Sequence, residues 1–264
     1  MNTDQIISQF QQMLNNGYSS YDLLRVAAHF RRLELEQYLY ASLNGIVAEV
    51  PFQGMKLLPT AHASTLSPKL IGSYEKEIQA DLIELARGAD SFLDIGCAEG
   101  YYTTGFSLLP NICSVSGVDI NPDSLEAATK MAEVNNTAFK CHFTTSIRDA
   151  IAAVVGRTLI MIDVDGAELR VVDDLFDCIG HNPCREMLFI VETDYHRSGQ
   201  SNQSAIIEKF NEHSFRLSKQ ISQDPKNRIS AIAAGTTKSF LDLAVYGLEG
   251  RPLDQSWLIF KQPA

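Results

Sequence analysis

The chain has 264 residues, of which 45% are hydrophobic and 20% are charged, and its formal net charge is −10. This composition is typical of a soluble globular protein, and the length suits one large α/β domain with an extension. The negative charge argues against a nucleic-acid partner, and the absence of a long apolar run or a signal-like N-terminus argues against a membrane partner, so we expect a cytoplasmic protein.

Two amphipathic helices are predicted before any glycine-rich motif. The first starts at Thr3 or Asp4 and ends at Asn15-Asn16-Gly17, and the second runs from about Ser20 to Asn44 behind a serine cap. Neither helix has chemistry of its own. We therefore divide the chain into a helical extension (residues 1–60), which covers the site or forms a homodimer, and a main domain (residues 61–264).

The next elements lead into a glycine turn. A helix is predicted from Gly72-Ser73-Tyr74-Glu75 to Gly88, after an irregular segment with four proline or glycine breakers. The apolar run 91–95 reads as a buried strand, and a helix starts at Tyr101. Gly96 and Gly100 lie in the turn between them, where the backbone approaches a ligand closely or adopts unusual dihedrals.

Strand and helix patterns alternate through the rest of the chain. Predicted strands cover residues 114–119, 139–143, 158–163, 186–192, 215–221 and 257–261, with helices between them, including one from 239 to 248. This alternation predicts a doubly wound, mostly parallel α/β sheet with a late added strand. The five scattered cysteines show neither metal-site spacing nor a disulfide framework, so buried free thiols are expected.

Asp119 ends the second predicted strand, about twenty residues after the glycine turn. Nucleotide-binding α/β folds place an acid at this distance, because a carboxylate accepts hydrogen bonds from both ribose hydroxyls. Together with the Asp-x-Gly-x-x-x-Gly spacing from Asp94 to Gly100, this resembles motif I of the class I S-adenosylmethionine (SAM) methyltransferases. The nicotinamide-binding spacing, Gly-x-Gly-x-x-Gly, is different.

The resemblance implies a seven-stranded Rossmann-like methyltransferase sheet and SAM as the cofactor. In that family the turn before the helix that starts at Ile147 lies beside the adenine ring, so Ser146 and Ile147 are candidates for that contact. The expected cofactor-binding residues are Tyr74, Asp94, Gly96, Ala98, Glu99, Gly100, Tyr101, Asp119, Ile120, Ser146, Ile147 and Asp163.

The segment Ile162-Asp163-Val164-Asp165-Gly166-Ala167-Glu168 resembles the FkbM-type methyltransferases, whose pattern is Asp-Val-Glu-Gly-Ala-Glu, although Asp165 replaces the glutamate. The resemblance covers about residues 70–220 and implies O-methylation of a hydroxyl on a small molecule, such as a sugar or a natural product. Asp165 and Glu168 also have the spacing of a capping box, in which Asp165 is the N-cap.

Polar residues also end the strands at 158–163 and 186–192, where ligands bind in open α/β sheets. His196 as general base would activate the hydroxyl, with Asp163 and Glu192 as further catalytic candidates. The alternative is Mg²⁺ bound by Asp165, Glu192 and Asp194, by analogy with catechol-type O-methyltransferases.

Other functions remain open. Methylation of a nucleic-acid amino group is disfavoured, because the chain lacks the Asn/Asp-Pro-Pro-Tyr loop of those enzymes and is acidic. A nicotinamide oxidoreductase is disfavoured by the glycine spacing. A protein acceptor and a non-catalytic SAM-binding protein are not excluded by the sequence.

Overall fold

A computed structural model describes residues 3–59, 61, 64–180, 186–193, 201–222, 239–246 and 255–263. Within these ranges the helices are α1 (Thr3–Asn15), α2 (Ser20–Ser42), α3 (Leu66–Leu70), α4 (Gln79–Arg87), α5 (Tyr101–Ser107), α6 (Pro122–Val134), α7 (Ile147–Ala153), α8 (Glu168–Ile179), α9 (Gln203–Glu212) and α10 (Phe240–Tyr246). The strands are β1 (Ser91–Ile95), β2 (Ser114–Val118), β3 (Cys141–Thr144), β4 (Thr158–Ile162), β5 (Met187–Thr193), β6 (Arg216–Ser222) and β7 (Ser256–Lys261).

The described strands form one seven-stranded sheet in the order β3-β2-β1-β4-β5-β7-β6. The first five strands are parallel, and β7 lies antiparallel between β5 and β6. This topology confirms the predicted seven-stranded, mostly parallel, Rossmann-like α/β sheet with its late added strand. Because the chain order reverses at β1, the crevice for a ligand is expected at the carboxyl ends of β1, β2 and β4.

Alternate residues of the central strands enter two hydrophobic cores, one on each face of the sheet. Phe92 and Leu159 belong to the first core, and their neighbours Leu93 and Ile160 belong to the second. This alternation is the two-residue period of an extended strand. Helices therefore cover both faces, which explains why the strand runs are apolar throughout.

The N-terminal helices form as the sequence predicts. Ser19 caps α2 in a reciprocal capping box with Asp22. Leu39 of α2 and Phe52 of the following segment are buried in the first core, so much of the extension packs onto the sheet. The boundary at residue 60 stays a prediction. No helix in the described ranges is long and apolar enough to cross a membrane.

Four local predictions are wrong. The helix expected from residues 72–75 begins only at Gln79, because residues 74–78 form turns and Glu75 has a φ of 48°. The short helix α3 was not predicted, because Pro68 was interpreted as a helix breaker. Proline is tolerated in the first turn of a helix, where Pro68 lies. β3 starts at Cys141 after a 3-10 turn, and Cys113 is exposed where a buried thiol was expected.

Candidate cofactor and catalytic site

The two glycines of the β1–α5 turn have positive φ angles, 96° at Gly96 and 86° at Gly100. A Cβ added at Gly96 would lie 1.7 Å from the carbonyl oxygen of Asp163, and one at Gly100 would lie 2.9 Å from Cβ of Ala128. The protein's own packing therefore requires both glycines. The positive φ angles confirm the unusual dihedrals expected at these glycines, and a close approach to a ligand stays a prediction.

Asp119 immediately follows β2, and the backbone holds its carboxylate in place. Oδ2 accepts a hydrogen bond from the N–H of Ala98 at 2.9 Å, and Oδ1 accepts one from the N–H of Asn121 at 2.8 Å. The residue is only half-buried, so its side chain is partly open to solvent. Its neighbour Ile120 is 91% exposed.

Asp94 is buried at the carboxyl end of β1. Burial raises the pKa of its carboxyl well above the usual range, and the negative charges of Asp163, Glu75 and Asp119 raise the pKa further. Lys69 opposes this effect. The ends of β1, β2 and β4 thus concentrate negative charge around one buried acid, an environment that favours a bound cation.

Lys69 of α3 is the cation beside these acids, and sequence reasoning missed it. Its Nζ forms a buried ion pair with Glu99 of the glycine turn and donates a hydrogen bond to Ser64 Oγ at 2.7 Å. The same Nζ lies 4.7 Å from the ring centroid of Tyr74 and 5.3 Å from that of Tyr101, within cation–π range. Tyr74, Glu99 and Tyr101, all expected at the cofactor, therefore meet around this lysine.

A second buried contact next to this group was also missed. Tyr102 Oη donates a hydrogen bond to Glu75 at 2.6 Å, and both residues are buried. Burial and the Glu75 charge raise the pKa of Tyr102 well above its usual value, so the phenol stays neutral. Cys97, inside the turn, is a neutral thiol for the same reason, because burial and the charges of Asp94 and Asp119 raise its pKa.

The predicted adenine contacts lie where α7 begins. Ser146 is the N-cap, and its Oγ accepts a hydrogen bond from the N–H of Asp149 at 3.2 Å. Ile147 is half-buried against the second core. Contacts of these residues with adenine stay predictions.

The capping box expected after β4 does not form, and Glu168 makes other hydrogen bonds instead. Asp165 is exposed with a φ of 49°, and the N-cap of α8 is Ala167, so Asp165 does not cap the helix. Glu168 is buried, and it accepts hydrogen bonds from the N–H of Gly166 at 2.7 Å and from Nδ2 of Asn202 at 2.6 Å. Glu168 thus links the turn after β4 to the start of α9.

The remaining catalytic candidates are only partly within the described ranges. Asp163 is half-buried, and its N–H donates to the carbonyl of Ile95, which joins the ends of β1 and β4. Glu192 is buried within β5 beside β7. Asp194 and His196 lie outside the described residues. Among those described, no group of three or more His, Cys, Asp or Glu side chains is placed to hold a metal.

A cavity of about 580 Å³ lies between α2 and the segment that leads into α3. Its wall includes Arg32 and Tyr40 on α2 and Ser64 on the segment. Because Ser64 is hydrogen-bonded to Lys69, the cavity adjoins the lysine that contacts the glycine turn.

Comparison with known proteins yields a likeness of fold only. No protein-family model matches the chain, and no curated protein matches it at a significant level. Similar solved structures include a ribosomal protein L11 methylase from Lactobacillus delbrueckii subsp. bulgaricus, which is 16% identical with a TM-score of 0.45. That match covers 72% of this chain and 79% of the methylase.

Two other similar structures are a methyltransferase domain and a protein bound to S-adenosyl-homocysteine. The methyltransferase domain of bacterial CtHen1-CN is 12% identical with a TM-score of 0.47, and the match covers 72% of this chain and 97% of that one. M. capricolum TrmK in complex with S-adenosyl-homocysteine is 10% identical with a TM-score of 0.42, with coverages of 69% and 67%. At these identities neither activity nor substrate carries over to this chain.

Proposed function

We propose that this chain is a SAM-dependent O-methyltransferase that acts on a hydroxyl of a small molecule. The observation that carries the proposal is the carboxylate of Asp119, oriented by two backbone N–H groups at the switch point of the sheet. A carboxylate held in this way and still accessible suits the two ribose hydroxyls of a nucleoside cofactor. The exposed side chain of Ile120 offers an apolar surface for the adenine ring.

The charge of the site supports SAM rather than a nicotinamide dinucleotide. SAM carries a positive sulfonium, whereas a dinucleotide brings a pyrophosphate that needs backbone N–H donors and no nearby acids. Here Asp119 and Asp163 lie close enough to Asp94 for their negative charges to raise its pKa. Bound SAM supplies an electrophilic methyl group, and the residues of the chain must hold it and prepare the acceptor.

The acceptor hydroxyl is a poor nucleophile until its proton is removed. We propose His196 as the base, with Asp163 and Glu192 as further candidates at the neighbouring strand ends. The alternative is Mg²⁺ bound by Asp165, Glu192 and Asp194, which would stabilise the alkoxide directly.

The cavity beside α2 supports a small-molecule acceptor. Its volume of about 580 Å³ lies in the range of small-ligand pockets, about 300–1,000 Å³. Because α2 forms one wall of it, we propose that residues 1–60 cover the acceptor site, with homodimer formation as the alternative role. Methylation of a nucleic acid or a protein remains the alternative activity, and the net charge of −10 disfavours the nucleic acid.

The experiment is isothermal titration calorimetry of SAM with Asp119→Ala. Loss of the ribose acceptor should weaken binding by about 1.5–3 kcal/mol, the range for a hydrogen bond to a charged group. Asp123→Ala is the matched control, because this exposed acid lies four positions further on in the first turn of α6. Unchanged SAM affinity in a folded Asp119→Ala protein, or tight binding of NADH by the wild type, would overturn the proposal.

A further inference from the structure

The buried ion pair of Lys69 and Glu99 is not explained by stability. Both side chains are almost fully enclosed, at 4% and 2% exposure. Desolvating two charges costs several kcal/mol each, and apolar replacements for such pairs are often neutral or stabilising. A buried ion pair directly beside the glycine turn therefore suggests a role in binding.

The rest of the structure holds Lys69 in a defined position. Glu36 of α2 accepts hydrogen bonds from the N–H groups of Leu66 at 2.9 Å and Ser67 at 3.1 Å, which anchors the start of α3. Tyr74 and Tyr101 flank the ammonium group and restrict its motion. The lysine is thus preorganised before any ligand arrives.

Negative charge predominates among the groups that act on Asp94, and Lys69 opposes it. Of the charged groups that shift the pKa of Asp94, three are acids and Lys69 is the cation. SAM carries two cationic groups, the sulfonium and the α-ammonium, and one anionic group, the α-carboxylate. The acids suit the cations, but they repel the carboxylate unless a positive charge offsets them.

We propose that Lys69 is the specificity-determining residue for the cofactor, because it binds the α-carboxylate of the methionine moiety, while Glu99 faces the α-ammonium. The buried pair thereby presents one charge of each sign to the zwitterionic end of the ligand. Such charge-assisted contacts are roughly twice as strong as neutral hydrogen bonds. This inference rests on the proposed function and names the residue that selects SAM among adenosyl sulfonium compounds.

The test compares the binding of SAM with that of decarboxylated SAM, which lacks only the α-carboxylate. Wild type should prefer SAM, and Lys69→Met should lose roughly 10- to 100-fold in SAM affinity while binding decarboxylated SAM within about 3-fold of wild type. The preference for SAM should therefore disappear. Lys69→Arg keeps the charge and should restore part of the preference.

Lys140→Met is the matched control. Lys140 is half-buried, and its Nζ donates to the carbonyls of Ser107, Leu109 and Ile112 rather than to a carboxylate. Its loss should lower stability without changing the ratio of the two affinities. Because Lys69→Met removes the cation of the buried ion pair, the double variant Lys69→Met/Glu99→Gln is measured as well, and it should also lose the preference for SAM.

The outcomes separate the two proposals. Suppose that wild type binds SAM and that the folded Lys69 variants lose affinity for both ligands equally, or for neither. The role of Lys69 is then overturned, and the methyltransferase proposal stands. If wild type binds neither compound, both proposals fall.

Discussion

Asp119 follows β2 and Glu168 follows β4, and each carboxylate accepts two hydrogen bonds at the same edge of the sheet. Asp119 takes both from backbone N–H groups and stays half-buried. Glu168 takes one from Gly166 and one from the side chain of Asn202, and it is buried. Two acids that look equivalent in sequence therefore differ in accessibility: one can reach a ligand, and the other links two segments.

The end of β2 and the end of β4 consequently contribute to the site in different ways. At β1 and β2 the acids and Lys69 form a compact charged group whose members interact within the described structure. At the end of β4, Glu168 of the FkbM-like segment has a structural role. Chemistry at this end must then come from Asp163, from Glu192 or from residues beyond β5.

The largest expected effect concerns activation of the acceptor hydroxyl, and it shows what the β4 and β5 ends contribute. If His196 is the base, His196→Asn should reduce turnover by about 10²–10⁴-fold and remove the fall in rate below about pH 6.5. EDTA should then have little effect. The measurement is methyl transfer from labelled SAM to an accepted substrate across pH, with the exposed His142→Asn as control.

If Mg²⁺ acts instead, EDTA should abolish turnover without releasing SAM, added Mg²⁺ should restore it, and Asp194→Asn should mimic the chelator because an amide is a weaker ligand. Activity that survives both EDTA and His196→Asn would exclude both mechanisms and leave Asp163 or Glu192 as the base.

A smaller effect is expected from Glu168→Ala, which tests the contrast with Asp119 directly. Removal of the carboxylate takes this acceptor from the buried amide of Asn202, at about 1–3 kcal/mol, whereas water can replace it at the N–H of the exposed Gly166. Chemical denaturation should show this loss, while the SAM affinity of the folded protein changes little. Asp177→Ala, an exposed acid on the same helix, is the control. Equal stability of the two variants would contradict the structural role of Glu168.

An effect with a pH signature comes from Asp94→Asn. The folded protein raises the pKa of Asp94 above the unfolded value of about 3.9, so folding takes up a proton between the two values. The contribution of this proton to the free energy of unfolding is therefore fully present below the unfolded pKa. It is lost as pH rises through the folded pKa, by about 1.4 kcal/mol for each tenfold fall in proton concentration over that interval.

Asp94→Asn should remove this loss and raise the melting temperature of the ligand-free protein at neutral pH, while weakening SAM. Thermal melts across pH provide the measurement, and Asp177→Asn controls for the loss of one negative charge. A melting temperature that depends on pH as in the wild type would show that Asp94 is not the group responsible.

Much of the fold could be predicted from local sequence. The apolar runs at 91–95, 158–162 and 187–191 are buried on both faces, so they identify the parallel strands without knowledge of their partners. Asn121-Pro122 and Ser146 mark helix starts because capping depends on neighbours within a few residues. Asp119 could be predicted as a site residue for a related reason, since its distance from the glycine turn follows from one strand–helix–strand unit.

Periodicity and short spacing along the chain therefore determined the class of sheet, the glycine turn and the acid after β2. Tertiary packing alone paired Lys69 with Glu99, 30 residues apart, and Glu168 with Asn202, 34 residues apart. No local pattern encodes such contacts, because they form where two distant backbone segments pack together. The partner and the burial of each acid, and hence its role, were decided at that level.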